Sequence, residues 1–327
     1  MDWNWKQLVG AFVMGVLMPG VTFGAAATTP VTTVPAETKP PSIITTIPET
    51  PPAAATVDVI LLDGTVQQME LESYITGVVL GEMPVNFESE ALKAQAVVAR
   101  TYTLWCSGVM RKHENGDVCA DFRCCQAYKT IDAFFSEGGS AAELEKLQAA
   151  VKSTAGQVVT YGGQLIEATY FSCSGGRTEA AQAVWGTDVP YLQSVVSPGE
   201  EWAEPYTHTI RITAAQLQSC LGRWLAGTPE NWFGVTTYTE GGGVATMYIA
   251  GRSYTGTQLR QLLNLNSTAF SVIADPEGIT VTTAGKGHRV GMSQYGAEAM
   301  AAKGSGYAEI LAYYYPGTRI DKMESIG

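Results

Sequence analysis

The sequence predicts an α+β fold in which helices are mixed with small antiparallel sheets. Apolar residues recur at helical spacing over residues 71–79, the pattern of a helix with one buried face. Residues 57–60 and 66–69 flank the turn Asp63-Gly64 and predict a β-hairpin. Because the hairpin directly precedes the helix, a small sheet is expected beside it.

Length, charge and the N-terminus limit the possible functions. The 327 residues allow one large domain or two small ones, and the net charge of −11 argues against nucleic acid as a partner, because binding phosphates depends on clustered cations. Residues 8–27 are uncharged and long enough for a single membrane-spanning helix. Residues 1–27 are therefore predicted to be a retained membrane anchor, with a cleaved signal peptide as the alternative. In both cases the rest of the chain lies on the extracytoplasmic side of the cell membrane.

The folded domain is predicted to begin after a linker. Residues 28–56 are rich in Thr, Pro and Ala, and their prolines favour an extended spacer. Residues 57–327 then form the domain. Within it, residues 200–282 mix helical and strand patterns and are a candidate auxiliary subdomain that shapes one wall of a cleft.

Two helices surround a glutamate near the start of this domain. The first is expected to end before Pro84, because a residue that precedes proline disfavours helical geometry. Glu82 therefore lies at a helix end among apolar side chains. A second helix is expected to start near Asn86 or Ser89, with either residue as its cap, and carries Arg100. From the residues alone, the simplest role of Glu82 is to cap a helix or to pair with Arg100.

A cysteine-rich segment follows the second helix. His113, Cys119 and Cys125 are spaced by six and six, and Cys124 is adjacent. Imidazole and thiolate are good zinc ligands, but the spacing is not that of a standard zinc finger. Disulfides are the alternative outside the cytoplasm, and spacing alone favours them. The cysteines available for pairing are Cys106, Cys119, Cys124, Cys125, Cys173 and Cys220.

Four stretches together resemble a known family. YITGVVLGEMP (74–84) followed by EALKAQAVVARTY (90–102), the Ser- and Gly-rich loop at residues 172–186 and GKGHRVGMSQYGA (285–297) resemble the stage II sporulation protein D family, a domain of peptidoglycan remodelling. The resemblance extends over most of the chain from about Thr56. It implies a single large catalytic domain around a substrate cleft. Arg289 departs from it, because the family usually has glycine there.

The resemblance also implies roles for individual residues. Glu82 matches the catalytic acid, and His113, Cys119 and Cys125 become candidate ligands of a zinc ion. The fourth coordination position of this zinc ion would hold water or substrate near Glu82. Cys124 is a competing ligand for that position. The residues expected to bind substrate are Arg100, Ser174, His288, Ser293, Gln294 and Tyr295.

The implied activity is that of a lytic transglycosylase, a lyase that cleaves MurNAc-GlcNAc strands to 1,6-anhydromuramyl ends with one Glu as acid and base. The expected setting is the degradation of septal wall during engulfment in sporulation. The expected partners are peptidoglycan strands, the membrane, a peptidoglycan amidase or endopeptidase and other engulfment proteins. The alternative is a glycan-binding enhancer of an N-acetylmuramoyl-L-alanine amidase without activity of its own.

Overall fold

A computed structural model describes the protein over residues 55–325, and the predicted α+β class is confirmed. The helices of this part are α1 (Leu71–Glu82), α2 (Ser89–Leu104), α3 (Ile131–Ser136), α4 (Ala141–Ser153), α5 (Ala181–Trp185), α6 (Ala214–Leu221), α7 (Gly256–Leu262), α8 (Gln294–Ala301) and α9 (Tyr307–Tyr314). Its strands are β1 (Thr56–Ile60), β2 (Val66–Glu70), β3 (Val118–Cys119), β4 (Gln157–Tyr161), β5 (Gln164–Leu165), β6 (Tyr170–Phe171), β7 (Thr207–Thr213), β8 (Phe233–Tyr238), β9 (Val244–Ile249), β10 (Arg252–Thr255), β11 (Phe270–Asp275), β12 (Gly278–Ala284), β13 (Met292–Ser293) and β14 (Arg319–Lys322).

The predicted N-terminal anchor, residues 1–27, lies outside the described residues, as does nearly all of the predicted linker, residues 28–56. Between residues 55 and 325, every helix is too short or too polar to cross a bilayer. The membrane prediction therefore stays a prediction.

Helix α2 is the centre of the main core. It packs against α1, α4, α8, α9 and β4. Its alanines at 91, 94, 96 and 99 are fully buried, and their small side chains let these neighbours approach closely. Burial of this apolar surface is the main stabilising contribution to the fold. Helix α2 is thus buried and closely packed.

Helix α1 ends where the sequence predicts. Met83 is extended, with φ −130°, as expected for the residue before Pro84. Glu82 is therefore the last helical residue. The next helix differs from the prediction at its start: Glu88 takes the N-cap position of α2 without a capping side-chain bond, and Ser89 is the first helical residue.

Small sheets surround these helices. The predicted hairpin is formed by β1 and β2, which pair in antiparallel fashion. Two short pairings are parallel and join segments far apart in sequence: β3 lies beside β1, and β13 lies beside β6. The β6–β13 pair brings the predicted C-terminal motif next to the strand that precedes the Ser- and Gly-rich loop.

The predicted auxiliary region, residues 200–282, has a hydrophobic cluster of its own. Two antiparallel three-stranded sheets, in the orders β11-β12-β7 and β10-β9-β8, pack with α6 and α7. Leu217, Trp232, Leu259 and Ile279 are among its buried residues.

Arg289 fixes this region to the main core. It keeps the left-handed φ of 67° that glycine adopts readily, and its side chain is buried. The guanidinium donates to the carbonyl oxygens of Ser174 (2.7 Å), Arg177 (2.7 Å) and Gly241 (2.7 Å) and pairs with Glu179 at 3.3 Å. These bonds help to offset the cost of a left-handed backbone conformation at a residue other than glycine.

Candidate active site and metal centre

Glu82 lies at the end of α1, and a backbone amide from the cysteine-rich segment holds its carboxyl group. The N–H of Ala127 donates to Oε1 of Glu82 at 2.6 Å. Burial raises the pKa of Glu82, while hydrogen bonds from Ala127, Tyr170 and Gln294 act in the opposite direction. The C-terminal end of α1 also disfavours negative charge. Glu82 therefore retains its proton at higher pH than an exposed glutamate does.

A chain of polar side chains leads away from this carboxyl group. The Tyr170 hydroxyl donates to Oε1 of Gln126 at 3.0 Å, and Nε2 of Gln126 donates to the Thr103 hydroxyl at 2.9 Å. On the other side, Nε2 of Gln294 donates to Oε1 of Gln95 at 3.4 Å. These contacts fix the groups that face Glu82.

Glu82 opens onto a cleft of about 870 Å³. Tyr170, His288, Gln294 and Cys125 also line this cleft, and among its described lining residues Glu82 is the one carboxylate. A neighbouring hollow of about 500 Å³ is lined by Gly81 and Glu82 as well. A long substrate that passes Glu82 can therefore be held on both sides of it.

His288 reaches the cleft as a neutral ring. Its Nδ1 accepts a hydrogen bond from the Val290 N–H at 3.1 Å, so the proton is on Nε2. Burial, reinforced by the positive charge of Arg260, lowers the pKa of His288 to about 4. The ring lies between Phe171 and Trp185, with centroid distances of 5.6 and 5.4 Å.

Two of the six residues predicted to bind substrate, Gln294 and His288, line the cleft with Glu82. Tyr295 does not line it, and its ring packs against Phe87 (5.1 Å) and Trp202 (5.2 Å). The other three are buried and bonded within the protein.

The structure corrects both predictions made for Arg100, namely that it pairs with Glu82 and that it binds substrate. Its guanidinium is 0% exposed and pairs with Glu72 at 2.5 Å, and it donates to the Gln157 carbonyl oxygen at 3.0 Å. It therefore stabilises the contact between α1, α2 and β4 and has no access to substrate. Glu82, for its part, pairs with Ala127 and not with Arg100.

The structure also corrects the substrate-binding role predicted for Ser174 and Ser293. The Ser174 hydroxyl donates to the buried Glu200 at 2.9 Å, so it stabilises the loop that precedes α5. The Ser293 hydroxyl is buried and accepts from the Gly296 N–H at 3.2 Å, which caps α8. The backbone of the Ser- and Gly-rich loop itself requires glycine, because Gly175 has φ +70° and a Cβ there would lie 2.6 Å from backbone atoms of residues 284 and 285.

The cysteine-rich segment forms a compact group of metal-binding side chains. The donor atoms of His113, Cys119, Cys124 and Cys125 all lie within 4.8 Å of one another. Nε2 of His113 is 3.2 Å from Sγ of Cys125 and 3.8 Å from Sγ of Cys124. All six cysteines of the chain are free, so the disulfide alternative is not observed.

This donor set fits a zinc ion. Zinc at about 2.3 Å from each sulfur in a tetrahedral site places its ligands roughly 3.7 Å apart, within the span of the cluster. Three thiolates and one imidazole would complete the four-coordination of such an ion without water. The cluster adjoins the cleft, because Cys125 lines it and Ala127, two residues later, holds Glu82.

Tyr170 and Arg260 are among the residues of the cleft that the sequence analysis did not predict. Tyr170 lies at the end of a short segment in which apolar and polar residues alternate, and nothing in that pattern indicates a contact with Glu82. Arg260 lies on α7 of the predicted auxiliary region, which has no recognisable motif. Only the parallel pairing of β6 with β13 and the position of α7 bring them to the same cleft as Glu82.

The protein therefore has a cleft beside a candidate metal centre. Among the described residues that line this cleft, Glu82 is the one carboxylic acid, and its pKa is raised. Comparison with known proteins identifies the family: the sequence model described as "Stage II sporulation protein" matches residues 63–161. The chain is 42% identical over 264 residues to stage II sporulation protein D of Bacillus subtilis (strain 168), which covers 80% of this chain and 77% of that protein. The protein of the same name from Bacillus amyloliquefaciens is 40% identical over 80% of this chain and 76% of its own length. The chain therefore belongs to the stage II sporulation protein D family.

A more distant relative has a different name. The "Amidase enhancer" of Bacillus subtilis (strain 168) is 28% identical over 299 residues, which amounts to 75% of this chain and 40% of that protein.

Proposed function

We propose that the chain is a lytic transglycosylase that cleaves the MurNAc-GlcNAc backbone of peptidoglycan. The observation that carries this proposal is that Glu82, with a raised pKa, is the one carboxylate among the described residues lining the cleft. Ordinary glycoside hydrolysis uses two carboxyl groups. A reaction in which the sugar supplies its own nucleophile needs only one.

In the proposed reaction, protonated Glu82 donates its proton to the glycosidic oxygen as the bond from C1 of MurNAc to that oxygen breaks. The resulting carboxylate then takes the proton of the C6 hydroxyl of the same MurNAc, and O6 forms a new bond to C1. Glu82 ends protonated, as it began, and no water is consumed. The Ala127 N–H keeps the carboxyl group in place throughout, and the hollows on both sides of Glu82 suit a polymeric substrate.

Zinc is proposed to stabilise this arrangement. His113, Cys119, Cys124 and Cys125 would hold it, which replaces the expected water ligand by a fourth protein ligand. Such a closed site would supply a structural cross-link for the segment that ends at Ala127. The N–H of Ala127 holds the carboxyl group of Glu82.

The proposed location is the outer face of the cell membrane, with the uncharged run at residues 8–27 as a single-pass anchor. Substrate would be wall glycan at the division septum during engulfment. An amidase or endopeptidase and other engulfment proteins are the proposed partners, and the similarity to an amidase enhancer supports the first of them. That similarity also supports the second candidate function, a glycan-binding enhancer without activity of its own.

The test is the product formed from purified glycan strands. Wild-type protein is expected to yield anhydromuramyl ends by mass spectrometry, whereas hydrolysis would add the mass of one water. Glu82→Gln keeps the hydrogen bond from the Ala127 N–H but has no acidic proton to donate to the glycosidic oxygen. Cleavage should therefore fall by about 10² to 10⁴-fold. Glu145→Gln is the matched control, because Glu145 is exposed on α4 and lines neither hollow. Cleavage that requires an added amidase, or equal activity in both variants, would favour the enhancer function.

A further inference from the structure

The cleft is locally basic although the chain is acidic. The net charge is −11, yet Arg123, Arg260 and Lys286 line the cleft with Glu82 as the one carboxylate among its described residues. Arg123 is 77% exposed and pairs with Asp121 at 3.0 Å. Within residues 55–325, Arg260 and Lys286 have no carboxylate partner. Two positive charges are therefore available to a ligand.

Two hydrogen bonds with the backbone of Leu265 hold Arg260 in place. It lies in the last turn of α7 and is half-buried. Its Nε donates to the carbonyl oxygen of Leu265 at 3.4 Å, and the Leu265 N–H donates to the carbonyl oxygen of Arg260 at 2.9 Å. The two terminal nitrogens of the guanidinium have no partner among the described residues.

The loop after α7 fixes this arginine against the opposite segment of the cleft. Asn264 adopts the left-handed φ of 50°, which asparagine tolerates better than most residues. The carbonyl oxygen of Asn266 accepts from the Gly287 N–H at 3.0 Å, directly before His288. Lys286 adds its charge beside this contact, and its backbone pairs with that of Cys173.

We infer that Arg260, assisted by Lys286, binds a carboxylate of the peptidoglycan substrate and so determines which strands enter the cleft; this inference rests on the proposed function. A guanidinium with two free terminal nitrogens matches a carboxylate in bidentate geometry. A partly buried charge without a partner is unfavourable, and a ligand carboxylate removes that cost. Two carboxylates of peptidoglycan have this chemistry: the lactyl group of MurNAc where no peptide is attached, and the carboxylates of a stem peptide.

Binding measurements can test this inference apart from cleavage. The full-length chain carrying Glu82→Gln is titrated calorimetrically with three MurNAc-GlcNAc tetrasaccharides. One has free lactyl carboxylates, one has them converted to methylamides, and one carries L-Ala-D-Glu on them. Arg260→Gln, added to this background, should weaken binding of a carboxylate ligand by about 10- to 100-fold and leave the methylamide unchanged.

The control is Arg252→Gln, on the same subdomain, because Arg252 is exposed, packs on Tyr254 and does not line the cleft. Lys286→Gln serves as a second variant, since its exposed side chain is not needed for folding, and should weaken the same ligands by several-fold.

The ligand that loses affinity identifies the source of the carboxylate. A loss for the lactyl ligand alone, for the peptide ligand alone or for both supports the inference. Equal losses for the methylamide and the carboxylate ligands, or no loss in either variant, would overturn it. If the wild-type chain forms no anhydro product but the Arg260-dependent binding persists, the proposed function fails and the inference remains.

Discussion

Replacing Tyr170 by Phe should raise the pKa of Glu82 further. The Tyr170 hydroxyl lowers this pKa by hydrogen bonding to the carboxyl group, against the effect of burial. A hydrogen bond to a charged group is worth roughly 1.5–3 kcal/mol, and one pKa unit corresponds to about 1.4 kcal/mol. Because Tyr170 shares its one proton with Gln126 at 3.0 Å, the lower end of this range, about 1.5 kcal/mol, applies to the bond that is lost.

The sign follows from the role proposed for Glu82. Cleavage needs the protonated carboxyl group, so activity is present below its pKa and lost as pH rises through it. In Tyr170→Phe the alkaline limb of the pH profile of kcat/KM should therefore move to higher pH. Titration of the Glu82 carboxyl carbon by NMR reads the same shift without any need for activity.

The same substitution should also lower stability. Gln126 is fully buried, and its Oε1 loses the Tyr170 donor, which costs about 1–3 kcal/mol. Tyr128→Phe is the control, because Tyr128 stacks on Tyr74 and its hydroxyl has no hydrogen bond within the described residues. An unchanged titration of Glu82, or a shift to lower pH, would refute the reasoning about the Tyr170 bond.

Two further predictions concern the metal centre and the link between the two cores. Cys124→Ser should reduce zinc, measured by elemental analysis of dialysed protein, from about one ion per chain, whereas Cys220→Ser should not; equal zinc in both would exclude Cys124 as the fourth ligand. Arg289→Ala leaves Glu179 buried without its cation and should cost about 3–5 kcal/mol in denaturant unfolding. Arg319→Ala, at a 69% exposed ion pair, should cost less than about 1 kcal/mol, and a similar loss in both variants would contradict this ranking.

The elements that the sequence predicts well are those with local causes. The apolar spacing over residues 71–79 and Pro84 determine where α1 lies and where it ends, so the position of Glu82 at a helix terminus could be predicted. The apolar residues that the sequence places around Glu82 agree with the burial that raises its pKa. Ala127 could not be predicted as its hydrogen-bond partner, because that contact joins segments 45 residues apart.

The two arginines show why the rest of the site was harder to predict. Arg100 follows Glu82 on the next helix, and its proximity in sequence suggested a place near the carboxyl group. Tyr102, two residues further along α2, lines the cleft, and at 3.6 residues per turn Arg100 lies on roughly the opposite side of the helix. On that side Arg100 meets Glu72 and β4. Arg260 is far away in sequence, yet α7 and the contact of Asn266 with Gly287 bring it to the cleft. The cleft is thus built from segments whose proximity depends on the packing of two separate cores, and a cation that a family motif does not contain can still be the one that meets the substrate.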